Sequence, residues 1–73
     1  MREEPATALF GKNLRKLRKE RGLSQEDLAE KAGLHRTYVG SLERGERNPS
    51  LLNIVKLSRA LDISVTLLLE DIK

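Results

Sequence analysis

The sequence contains no cysteine and no tryptophan. Without cysteine there can be no disulfide and no thiolate-held zinc. The single histidine, His35, is too few for a histidine-based metal site. No metal or other cofactor is therefore expected, and apolar packing alone must hold the core. Aromatic residues are scarce, with only Phe10 and Tyr38. Single-strand nucleic-acid binders offer several stacking rings, so that mode is disfavoured. Long apolar runs are missing as well. No stretch approaches the ~20 apolar residues of a membrane span, and none resembles a signal peptide. The expectation is a cytoplasmic protein with no membrane partner. The parts of an enzyme are also lacking. No serine, histidine and acid cluster can be assembled, there is no glycine-rich phosphate loop, and 73 residues leave no second domain to form a cleft.

What the chain does have is charge, unevenly placed. Fourteen basic and eleven acidic residues leave a net +3. Lys12 to Arg21 holds six basic residues and one acidic, Glu20. Arg36 to Arg47 adds three arginines, while the stretch from Leu61 onward is acidic to neutral. One basic face suits a polyanion.

Apolar spacing predicts helices and no strand. Residues 1–5 read as a flexible arm. Leu9, Phe10, Leu14 and Leu17 form the stripe of a first helix from Ala6 to about Arg21, ended by Gly22. Ser24 caps a second helix, with Asp27 completing a variant capping box and Leu28, Ala29 and Ala32 facing inward. Gly33 breaks it. His35 is the expected cap of a third helix that runs to about Arg44, with Val39 and Leu42 inward and Gly45 as its stop. Gly40 lies inside this helix at a cost of roughly 1 kcal/mol relative to alanine. Ser50 caps a fourth helix over about 51–61, carrying Ile54, Leu57 and Leu61. Asp62 or Ser64 opens a fifth that extends to about Ile72. The whole, residues 1–73, is expected to be a single domain.

The informative stretch is 24–45, SQEDLAEKAGLHRTYVGSLERG. Two short helices meet at a glycine turn, with small residues where they cross. This is a helix-turn-helix pattern, in which the second helix enters the major groove and its N-terminal residues meet base edges. Arg36 can pair bidentately with guanine, and Thr37 can offer a hydroxyl to a base or a methyl to thymine. Ser41, one turn beyond Thr37, is the third candidate base contact. His35, Arg44, Arg47, Asn48 and Ser50 surround the ends of this helix as candidate phosphate contacts. Tyr38 either bonds a phosphate or packs on the second helix.

The LRKLRKERGLSQEDLA run, the glycine turn, the LERG ending and the NPSL opening of the fourth helix together resemble the Cro/CI-type (XRE-like) helix-turn-helix regulators. The HRTYV and RNPSL segments look most like the controller proteins of restriction-modification systems. The resemblance covers about Leu9 to Leu69. It implies an all-α, compact five-helix domain of the lambda-repressor-like type. It also implies that Gln25 grips a DNA phosphate and that Arg18 and Glu43 form a structural ion pair.

One recognition helix buries too little to find a genomic site, so a homodimer on a two-fold symmetric operator is expected. Ile63, Val65, Leu67, Leu68, Leu69 and Ile72 are too many for the inner face of one short helix, which makes residues 62–73 the expected dimerisation segment. No effector domain is expected to follow, so regulation would rest on concentration. The partners implied are double-stranded DNA and a second copy, with paired dimers on adjacent sites and RNA polymerase as further ones. Autoregulation of a restriction-modification operon, as activator or repressor, is the leading reading. A phage-type repressor, an antitoxin and a protein-interaction module that binds no DNA are the alternatives.

Overall fold

The computed structural model describes residues 4–73, which fold as five helices with no strand among them. They are α1 (Ala6–Glu20), α2 (Gln25–Ala32), α3 (Arg36–Glu43), α4 (Leu51–Leu61) and α5 (Val65–Leu68). Of the arm expected over 1–5, residues 1–3 lie outside the described residues. Pro5 is the N-cap of α1, its carbonyl accepting from the amides of Ala8 and Leu9.

The helix boundaries follow local chemistry. Ser24 and Asp27 form a reciprocal capping box: the Asp27 amide donates to Ser24 Oγ at 2.9 Å, and the Ser24 amide to Asp27 Oδ2 at 3.1 Å. Four helical amides would otherwise be unpaired there. Gly33 ends α2 at φ +70°, a left-handed conformation that costs a glycine little. The next amide, of Leu34, then bonds back to the Ala29 carbonyl at 2.9 Å. His35 occupies the N-cap position of α3, but its ring makes no capping bond, so it caps by position only. Asp62 and Ser64 divide the role expected of either: Asp62 closes α4 at φ 56°, and Ser64 caps α5.

The core is Phe10 and Leu14 of α1, Leu28, Ala29 and Ala32 of α2, Val39 and Leu42 of α3, Leu57 and Leu61 of α4, and Leu68 of α5. α1 lies across α3 at Gly11. A Cβ there would collide with the Leu42 carbonyl oxygen and lie 2.6 Å from that of Glu43. The glycine is what lets the two backbones touch, and nothing in the sequence pattern singled it out.

The C-terminal segment corrects the sequence reading in two ways. α5 is four residues long, not a helix to Ile72. Asn13 of α1 donates to the carbonyls of both Leu68 and Glu70, at 2.9 Å each, and Asp71 takes a positive φ of 66°. Carbonyls engaged by a side chain have no need of another helical turn. In addition, Leu68 is fully buried in its own chain's core. It closes the base of the molecule beneath α1 and α4 and is withdrawn as a dimer contact. Ile63 and Ile72 also pack on the core, partly buried, and Val65 is half-buried. Among the described residues, the large apolar side chains left in solvent are Leu67 and Leu69, at 41% and 40% exposure, and Leu51 and Leu52 at the start of α4, at 75% and 63%. Those two leucines escaped the sequence reading because they fall on the outward side of α4.

Candidate nucleic-acid interface

Two shallow depressions flank α3. The first is lined by Gln25, Arg36, Thr37, Gly40 and Arg44. Residues 36, 40 and 44 recur every fourth position and so share one stripe of the helix. Gln25, first residue of α2, meets this stripe from the side. Gly40 forms the floor: a Cβ there would lie 3.2 Å from Arg44 Nη1 and 3.3 Å from Gln25 Oε1. Its missing side chain leaves room for those two to lie over the helix, which accounts for a glycine inside α3.

Beneath this surface is a polar clamp. Arg18 of α1 donates to both carboxylate oxygens of Glu43, from Nε at 2.6 Å and from Nη2 at 3.0 Å. Its Nη1 donates to the Leu23 carbonyl at 2.8 Å. Gln25 Nε2 donates to Glu43 Oε1 at 3.0 Å. The side chains of Arg18 and Glu43 are 10% and 4% exposed, so the pair is screened from water. Burial acts to raise the Glu43 pKa. Hydrogen bonds from Arg18 and Gln25, with the nearby charges of Arg18 and Arg15, outweigh it and hold the carboxyl below its ordinary value. The clamp fixes α3 to α1 and orients the Gln25 amide. One Nε2 hydrogen of Gln25 is left for an outside acceptor.

The second depression is lined by Gly33, Leu34, His35, Thr37, Tyr38, Ser41, Arg47 and Asn53. The Tyr38 hydroxyl accepts from Asn53 Nδ2 at 3.0 Å, which ties it to α4, and its ring packs partly buried against the core. Because the oxygen is the acceptor there, the hydroxyl proton remains available to donate. Asn53 was not singled out from the sequence; its only signal was its place three residues after Ser50. Ser41 departs from expectation. It is buried, and its hydroxyl donates to the Tyr38 carbonyl at 2.7 Å. A short side chain bonded back to its own helix cannot stand out toward a base, and Ser41 is withdrawn as a base contact.

The remaining candidates are more scattered. Ser50 Oγ accepts the Asn53 amide at 3.1 Å as the α4 cap. Asn48 lines a separate depression with Thr7 and Phe10 of α1, away from Arg47. Arg36 and Arg44 are exposed, and each has an acidic neighbour: Glu26 lies 3.9 Å from Arg36, and Glu46 takes a bidentate pair with Arg44. No cluster of side chains able to hold a metal occurs among the described residues. None of their helices is long and apolar enough to cross a membrane.

Residues 14–68 match the family model described as helix-turn-helix. The chain belongs to the helix-turn-helix family. It is 51% identical over 61 residues to control protein C.SmaI of Serratia marcescens, covering 84% of this chain and 73% of that one. It is 49% identical over 65 residues to control protein C.MunI of a Mycoplasma species, covering 88% of each. The crystal structure of the restriction-modification controller protein C.AhdI from Aeromonas hydrophila superposes with a TM-score of 0.84 at 56% identity, covering 85% of this chain and 94% of that one. With such relatives the chain is a DNA-binding transcription regulator of the Cro/CI-type, similar to restriction-modification controllers.

Proposed function

We propose that this regulator acts as a homodimer on a two-fold symmetric operator and controls a restriction-modification operon, its own gene included. The observation that carries the reading is the depression where Arg36, Thr37 and Arg44 meet Gln25, on a helix clamped to the scaffold from behind. A rigid helix that presents an arginine in its first turn is what major-groove readout requires. Arg36 takes a guanine through O6 and N7, and Thr37 takes the neighbouring base. Gln25, Tyr38, His35, Arg44 and Arg47 hold phosphates on both flanks, with Ser50 and Asn48 at the rim. These contacts fix register without reading sequence.

The single domain divides into a reader, 24–45, and a pairing surface. That surface comprises Leu67 and Leu69 with Leu51 and Leu52, the apolar side chains left exposed. Leu69 lines the same depression as Pro49 and Ile54, which ties the end of α5 to the start of α4. Control then works through mass action, since dimers form as the protein accumulates. Similarity to three controller proteins favours this reading over a phage repressor or an antitoxin.

The test is selection of bound duplexes from a random DNA pool, with wild type and Arg36→Ala in parallel. Wild type should enrich a symmetric site with half-sites about one helical turn apart. Arg36→Ala should lose preference at one base position per half-site and about 1–3 kcal/mol of affinity. An unchanged preferred sequence would remove Arg36 from base reading, and no enriched sequence would count against the operator itself.

A further inference from the structure

We infer that Glu46 is an internal competitor for the DNA phosphate assigned to Arg44, and so sets the affinity of this protein for every duplex. This rests on the reading of Arg44 as a phosphate contact. Arg44 Nε donates to Glu46 Oε2 at 3.0 Å and Nη2 to Oε1 at 3.1 Å. A guanidinium fork binds a carboxylate and a phosphate through the same two parallel N–H bonds. The two Glu46 oxygens therefore occupy the directions that two phosphate oxygens would take.

The pairing does little for the fold. Both side chains are open to water, at 60% and 57% exposure, and exposed pairs add little stability. Nor is it an accident of a loose loop. The Glu46 amide is anchored to the Ser41 carbonyl at 3.0 Å and the Gly45 amide to that of Leu42 at 3.0 Å, which holds the glutamate against the end of α3. The contrast with Arg36 is informative. Its acidic neighbour Glu26 approaches only to 3.9 Å and makes no fork. The base reader is nearly free, while the phosphate anchor is engaged.

On DNA, Glu46 must give up Arg44, and the cost of separating the pair lowers affinity regardless of base sequence. Occupancy then depends more heavily on the base contacts, which suits a regulator that responds to its own concentration.

The test compares wild type, Glu46→Gln, Arg44→Ala and the double variant on one operator duplex and one unrelated duplex across a salt series. Glu46→Gln should tighten both duplexes about five-fold near 0.15 M salt, and steepen the slope of log affinity against log salt by about 0.9, the effect of one more phosphate neutralised. In the Arg44→Ala background the same change should alter affinity by less than about two-fold. Glu46→Gln affinity within about two-fold of wild type, or weaker, would overturn the inference. A weaker variant would mean that Glu46 positions Arg44 instead of competing for it. Tightening that persists without Arg44 would overturn the competition as well. If wild type binds neither duplex, the site reading itself falls.

Discussion

Glu43 is the hub of the polar clamp. It receives Arg18 from α1 and Gln25 from α2, so three helices converge on one carboxylate. Because its pKa is lowered in the folded chain, its contribution is present above the ordinary glutamate value of about 4.3 and is lost as pH falls below it. Thermal unfolding from about pH 5 down to about pH 3 should show wild type losing stability more steeply than Glu43→Gln. At neutral pH that variant should be about 3 kcal/mol less stable, since Arg18 keeps a buried charge without its partner. Parallel pH curves would remove Glu43 as the residue responsible. The Arg18–Glu43 pairing came from family resemblance. The Gln25 bond came only from the structure, because residues 18 positions apart share no pattern a sequence can display.

At the scale of helices, capping and periodicity did most of the work. The start of α2, the Gly33 turn and the inward faces of α2 and α3 were all legible, because each depends on neighbours within one turn. The length of α5 was not, because it is set by Asn13, 55 and 57 residues away from the carbonyls it holds. Gly11 makes the same point. In an isolated helix Gly→Ala adds up to about 1 kcal/mol of stability. Here the new methyl would strike the α3 backbone, which has no side-chain freedom with which to give way. Gly11→Ala should therefore cost about 2–3 kcal/mol, seen as a fall in Tm of roughly 15 °C. A raised Tm would show that α1 can move off α3 at little cost.

Across the whole molecule, the decisive question is which apolar residues close the core and which remain for a partner. Leu67 and Leu68 are adjacent and chemically alike, yet one is 41% exposed and the other fully buried. Leu68→Asp would unfold the chain, whereas Leu67→Asp should leave the fold intact and weaken self-association. Sedimentation over a concentration series should show Leu67→Asp as monomer where wild type is dimer, with DNA affinity falling alongside. Unchanged sedimentation would place the pairing surface elsewhere. The sequence by itself determined the helix order, the turn and most of the core, because local caps and a 3.6-residue repeat encode them, and it placed Arg36 and Thr37 in the first turn of the third helix and Arg44 at its end. Only the tertiary structure decided that Ser41 and Leu68 turn inward, that Asn53 holds Tyr38, that Glu46 engages Arg44 and that Leu51 and Leu52 stand in water. A helical pattern states that residues share a face; what that face meets depends on how the other helices pack against it.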